Sequence, residues 1–336
     1  MNLYDSKQFP VLTMDGFGGS MMNFDAGGMA FLVGELEKRD EKLHEPLSAV
    51  TWPRDIPVKT GGGFVDSVTS FNVSYGSTGG TDGGLLGQDS NELPVIQADI
   101  GKDNVPVFIW GHILKVPLID QEKLQKVGRS LDQIYDKGLR LAHDKKLDEN
   151  VYFGFPKHGT YGLVNDTRVS TVSAAPHTTG GTDTEWENKS PDEILADIND
   201  GLARTIAASE YDNRGMANHV LIPWEQFTAI TTRKVGVTGD KSILTFLEEN
   251  NIARKSGIDL KILPCKQCEG AGTGSTDRMV FYRNDEDMVR LNITVPLKRM
   301  FTQVSAEHIA YLTPFVTQFS ALEWLYLTHA LYVDGI

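Results

Sequence analysis

The sequence is short of the residues that several kinds of chemistry require. Two cysteines occur in 336 residues, Cys265 and Cys268, too few for a small disulfide scaffold. A structural zinc would need two further ligands, and the nearest histidines, His219 and His308, lack ligand-like spacing. Basic residues are outnumbered, giving a formal net charge of −13, which argues against a surface built to grip a phosphate backbone. No uncharged apolar run is long enough for a membrane span. The most apolar stretch, Ile309 to Val333, is broken by Gln318, Glu323 and His329. Met1 to Lys7 lacks the basic start and apolar run of a secretory signal, so synthesis in the cytoplasm is expected. The four sequons beginning at Asn72, Asn165, Asn188 and Asn292 carry little meaning in that setting.

Catalytic motifs are equally scarce. There is no His-Glu-x-x-His pair and no Gly-x-Ser-x-Gly elbow. Gly239-Asp240-Lys241-Ser242 does not fit a phosphate loop, and the run Gly270 to Gly274 lacks the last glycine of a dinucleotide fingerprint. Asp285-Glu286-Asp287 reads as a solvated turn, because consecutive acids point in different directions. Cys265-Lys266-Gln267-Cys268 has the spacing of a redox dithiol and is the sharpest chemical motif. It supports the competing reading, a cytoplasmic thiol redox enzyme. No catalytic, cofactor-binding or metal residue is otherwise assigned, and no cofactor is expected.

What the sequence has in abundance is glycine, 33 residues, many of them in the first ninety. Residues 1–28 mix Gly, Met and Phe without a period, an arm whose Phe9, Phe17 and Phe24 are too apolar for a solvated tail. They are expected to pack on another surface, either a neighbouring subunit or the arm's own domain. Residues 29–45 read as a short helix with Leu32, Leu36 and Leu43 on one side, closed by Pro46. Extended chain follows. Phe71-Asn72-Val73-Ser74-Tyr75 alternates, Val105 to Trp110 is strand-like, and a glycine-rich stretch around Thr81-Asp82 lies between them, so a long hairpin or a surface loop is expected there.

The spacing predicts a helix over 120–147, with Asp120 as N-cap and Leu124, Val127, Leu131, Ile134, Leu141 and Ala142 on one face. Its length would be roughly 42 Å. Gly128 and Gly138 weaken it. Ser190-Pro191-Asp192-Glu193 announces a second helix over 190–208 with Ile194, Ile198, Leu202 and Ile206 inward. Strand signals follow at His219–Ile222, Met279–Tyr282, Val289–Val295, His308–Phe319 and Glu323–Val333, with short helices from Trp224 and over Ser242–Asn250. The class is α+β.

The order of these elements, with several strings, resembles the tailed-bacteriophage major capsid proteins of the Hong Kong 97-type fold, a fold shared with encapsulin compartments. Gly87-Gln88-Asp89-Ser90-Asn91-Glu92-Leu93-Pro94-Val95, leading through Pro106-Val107 and Gly111 to an acidic-started helix, resembles the returning arm of the family's extended loop entering its spine helix. Gly154-Phe155 and Tyr161-Gly162-Leu163-Val164-Asn165-Asp166 resemble the segment leaving the peripheral domain; His219 to Pro223 and Met279 to Asp287 resemble parts of the axial domain.

The resemblance implies an N-terminal arm and short helix (1–46), an extended hairpin loop with flanking strands (47–116), a peripheral domain with the spine helix (117–165), an axial domain (166–299) and C-terminal strands returning to the peripheral domain (300–336). Subunit contacts are then expected from the loop tip, Gly79, Gly80, Thr81, Asp82, Gly83, Gly84, Leu85 and Leu86, and from Phe9, Phe17 and Phe24 of the arm. The expected function is an icosahedral head shell, part of the virion, made of hexamers and pentamers of this chain. It would enclose double-stranded DNA without binding it tightly, and an acidic wall is compatible with that. An encapsulin-like compartment is the alternative within the same fold. Some family members crosslink through a loop lysine, but residues 60–101 contain no lysine. No long charged helical segment precedes the arm, so assembly is expected to use a separate scaffold or none, with portal and decoration proteins as further partners.

Overall fold

The computed structural model describes residues 49–77, 95–120, 122, 131–178, 183–236, 241–305 and 307–336. These residues belong to one compact unit, Ala49–Ile336. The arm, the helix expected over 29–45 and the hairpin tip lie outside the described residues.

Residue alternation builds the main sheet. Its order is β4 (Ser170–Ser173), β13 (Leu331–Asp334), β7 (Arg278–Tyr282), β5 (His219–Ile222) and β6 (Lys261–Pro264). Met279 and Phe281 of β7 enter one apolar cluster, while Val280 and Tyr282 enter a second on the opposite face. Leu331 and Val333 against Tyr332, and Val220 and Ile222 against Leu221, divide the same way. A sheet covered on both faces needs such uninterrupted apolar strands. The first cluster is closed by α3 (Pro191–Ala208), α4 (Trp224–Thr232) and α5 (Ile243–Asn250), through Ile194, Ile198, Leu202, Ile230, Ile243 and Leu247. The start of α3 is set as its sequence announces: Ser190 accepts from the Glu193 N–H while the Glu193 carboxylate accepts from the Ser190 N–H.

The second cluster is closed by α1 (Trp52–Asp55) and by α2 (Leu131–Tyr152), which contributes Leu147, Val151 and Tyr152. The helix expected to stop near 147 therefore continues for a further five residues. Asp148 and Asn150 look like a polar ending but are buried, Asp148 accepting from Thr51, Trp52 and Gln267 and the Asn150 amide N–H donating to the Ser320 carbonyl at 2.9 Å. The inward stripe is Leu139, His143, Leu147 and Val151, whereas Ala142 is exposed.

Two long antiparallel pairings share one strand. β3 (Ile96–Pro117) spans 22 residues, about 73 Å at the usual strand rise. Residues 96–106 pair with β2 (Ser67–Ser77), and residues 107–117 pair with β11 (Ala310–Ser320). Pro106, which has no N–H to give, sits where β3 passes from one partner to the other. β9 (Val295–Arg299) and β10 (Gln303–Ser305) also pair with β11. A smaller sheet joins β1 (Val58–Thr60), β8 (Val289–Ile293) and β12 (Glu323–Trp324).

Two expectations for the C-terminal part need correction. Val289–Val295 is two strands, β8 and β9, and Glu323–Val333 is also two, β12 and β13, separated by a turn closed by Ala330 N–H on the Leu327 carbonyl. The strands of residues 300–336 divide between different sheets. β11 lies beside β3, but β13 sits between β4 and β7 in the main sheet.

Candidate subunit-contact surfaces

The β2–β3 hairpin is amphipathic without a core. Its register sets Val73 opposite Ile100, Tyr75 opposite Ala98 and Ser77 opposite Ile96, with Phe71 opposite Lys102. Strand pleating puts these residues on one face, and Asn72, Ser74, Asp99 and Asp103 on the other. The apolar face is uncovered among the described residues: Phe71 is 68 % exposed, Tyr75 78 %, Ile96 74 % and Ile100 65 %. A two-stranded ribbon is at best marginally stable alone. A contiguous exposed apolar patch on it is a candidate contact surface.

A second apolar surface lies at the opposite edge of the same sheet. Phe301 is 89 % exposed beside Met300, Val304 and Ile309, all on or next to β10. Ile109 and Ile113 of β3 are exposed too, while Phe108, Trp110, Leu114 and Val116 of the same strand turn into the core clusters.

The contact residues expected from the sequence, Gly79 to Leu86 and Phe9, Phe17 and Phe24, lie outside the described residues. Sequence reasoning expected the flanking strands but assigned them no contact role. The signal was present in the alternation of Phe71-Val73-Tyr75 matched by Ile96-Ala98-Ile100, two apolar faces that meet only once the hairpin register is known.

The cysteine pair is part of the core. Cys265 and Cys268 flank a single 3-10 turn, are free and fully buried, and pack among Tyr152, Val280 and Tyr282. The Cys265 thiol donates to Gln267 Oε1 at 3.4 Å. Burial, reinforced by the Cys265 contact, pushes the Cys268 thiol well up, the opposite of an activated thiolate. The redox-enzyme reading therefore loses its motif. Among the described residues no group of three or more His, Cys, Asp or Glu is placed to hold a metal ion, and no helix is long and apolar enough to cross a membrane. Asp285, Glu286 and Asp287 form an exposed turn, with Asp285 accepting from the Asp287 N–H.

A family model for major capsid proteins matches residues 82–336. The chain belongs to the major capsid protein family. Solved structures share its fold at low identity. The capsid of Myoviridae phage XM1 is similar with a TM-score of 0.73 and 18 % identity, over 95 % of this chain and all of that one. The capsid of a native GTA particle gives 0.62 and 10 %, over 91 % and 98 %, and Microbacterium phage Oxtober96 gives 0.57 and 14 %, over 91 % and 98 %. No curated protein sequence matches. The uncovered ribbon and the β10 edge are thus features of a capsid fold.

Proposed function

We propose that this chain is the head-shell subunit of a tailed phage, closing on copies of itself as hexamers and pentamers around double-stranded DNA. The observation that carries the proposal is the uncovered apolar face of the β2–β3 ribbon, joined to a family whose members are structural. In this reading residues 1–46 are the arm and residues 47–116 the extended loop. Residues 117–165, with β11, form the peripheral domain, and most of 166–299, with β13, the axial domain. Loop and arm rest on neighbours without a covalent lysine crosslink, since residues 60–101 have no lysine. The subunit is made in the host cytoplasm, works with a separate scaffold or none, and meets portal and decoration proteins in the virion. It carries out no catalysis.

Phe71→Asp with Tyr75→Asp tests this. Both side chains are exposed, so the subunit should fold as wild type by circular dichroism, while closed shells disappear from sedimentation profiles. Complete shells formed by the double variant would remove the ribbon face from the contacts. Shells of wild type that enclose protein and exclude DNA would favour the encapsulin-like alternative.

A further inference from the structure

The first described segment after residue 48 is held to the body of the subunit by a polar knot where apolar packing would serve. Thr51 and Trp52 direct their backbone N–H groups at Asp148 Oδ1, at 3.0 and 3.1 Å, and Gln267 Nε2 donates to Asp148 Oδ2 at 2.8 Å. The Thr51 hydroxyl lies 2.7 Å from Tyr152 Oη and 3.5 Å from Asp148 Oδ1, and Tyr152 donates to Asp55 Oδ2. Asp148 of α2 therefore supplies the cap that α1 does not supply for itself. Arg54 is committed to Asp55, at 2.6 and 2.9 Å, and to the Pro264 carbonyl at 2.9 Å. No basic side chain bonds to Asp148 among the described residues, so its charge rests on three N–H donors and a long contact from the Thr51 hydroxyl at 3.5 Å.

We propose that Asp148 and Gln267 form a proton-operated latch that clamps residues 51–55 to the long helix α2 when Asp148 is ionised and loosens when it is protonated. Gln267 supplies the mechanism. Its amide N–H faces one Asp148 oxygen, and its Oε1 faces the Cys265 thiol. A proton on Asp148 Oδ2 would oppose two donors, so the Gln267 amide must turn over and give up the thiol. The other oxygen becomes a neutral acceptor, and charge-assisted bonds are roughly twice as strong as neutral ones, so both α1 N–H bonds weaken together. Burial raises Asp148 from its ordinary value, partly offset by the Thr51 and Trp52 bonds, so the latch opens at a higher pH than a solvent-exposed aspartate would titrate. The titratable groups around it are Tyr152 on α2, Arg54 and Asp55 on α1, Tyr282 on β7, and Cys265 and Cys268 on the turn after β6.

Hydrogen–deuterium exchange of the peptide covering residues 49–56 in the soluble full-length subunit, corrected for intrinsic exchange, tests the latch independently of the shell-contact reading. Wild type should lose protection by about tenfold between neutral pH and a pH below the Asp148 titration, the worth of one charge-assisted bond. Asp148→Asn should exchange at the open rate at both pH values, while Asp144→Asn, a half-exposed carboxylate one turn earlier, should keep the step. Should Asp148→Asn fail to fold, Gln267→Met removes the donor that favours the ionised form and should move the step to higher pH. A wild type without a step, a step that survives Asp148→Asn, or one unmoved by Gln267→Met overturns the proposal.

Discussion

Arg278 and Asp334 face each other across β7 and β13 as a two-pronged ion pair, Nε to Oδ1 at 2.7 Å and a terminal nitrogen to Oδ2 at 2.9 Å. The third guanidinium nitrogen donates to the Val164 carbonyl at 2.8 Å, and the plane lies over the Tyr332 ring, 4.4 Å from its centroid. Asp334 also accepts from the backbone and hydroxyl of Thr273. One pair thus ties the last strand of the chain to the middle of the main sheet and to the glycine-rich turn beside it.

Removing one partner leaves the other charge buried, which costs about 3–5 kcal/mol. Asp334→Asn and Arg278→Met should each lower the unfolding free energy from urea titration by that order, and Arg278→Lys should not rescue, because an ammonium cannot reproduce the fork. The pair also has a pH signature. Burial alone would raise Asp334, but the Arg278 and Thr273 bonds bring it below its ordinary value. Its contribution is present above the unfolded carboxylate range and is lost as pH falls through the lowered folded value. Asp334→Asn should flatten the acid limb of the stability curve; an unchanged limb would place the pH dependence elsewhere.

A second pH effect comes from histidines. His219 and His329 are buried, and burial pushes each pKa down to about 4. The unfolded chain takes up those protons near pH 6.5 while the folded chain resists until about 4, so each histidine's stability is full above the first value and falls through the window. The loss over the whole window is about 3 kcal/mol per group. His329→Gln, whose side-chain oxygen can still accept from the Arg283 N–H as Nδ1 does, should reduce the slope of stability against pH by about one proton. An identical slope in the variant would mean that His329 is protonated as readily in the folded chain.

Patterns of period and capping were legible in the sequence where one local rule sufficed. Ser190-Pro191-Asp192-Glu193 opens α3 because the capping box is satisfied within four residues, and Phe71 to Tyr75 is a strand because its alternation is complete. The sequence could not show what long-range polar contacts decide. Asp148 and Asn150 read as a helix end until Gln267 and Ser320, more than a hundred residues away, are seen to bury them. Cys265 and Cys268 read as a redox pair until Tyr152 and Tyr282 close over them. Leu331–Asp334 looked continuous with the preceding apolar stretch because nothing local marks the change of sheet that Arg278 fixes.

Two glycines should respond in opposite directions to alanine. A Cβ at Gly162 would overlap the backbone of Tyr152 and Phe153, where the chain doubles back on the end of α2, and backbone cannot rotate away. Gly162→Ala should give insoluble protein. Gly138 lies inside α2 with open space around its Cβ position, so Gly138→Ala should stabilise by about 0.5–1 kcal/mol. Thermal melts of the two variants make the comparison. A soluble Gly162→Ala would mean that α2 can end differently, and a destabilised Gly138→Ala would mean that this face of the helix is already crowded.

The hairpin can be cut so that the ribbon and its tip are tested separately. The register places Ser77 opposite Ile96, so replacing residues 78–95 with Asn-Gly joins two strand ends already in position, through the two-residue turn that matches strand twist. The apolar face of Phe71, Val73, Tyr75, Ile96 and Ile100 survives the change, and Gly79 to Leu86 are gone. Neither the main sheet nor α2 is touched, so circular dichroism and the urea midpoint should match wild type. Stable interfaces bury more than about 1,200 Å², and the proposed contact of Gly79 to Leu86 is lost with the replacement. Sedimentation should then show folded subunits or small oligomers in place of shells. If complete shells still form, the ribbon face is the sufficient contact and the tip is only an excursion. If the protein unfolds, residues 78–95 belong to the core, and the separation of loop from body is wrong.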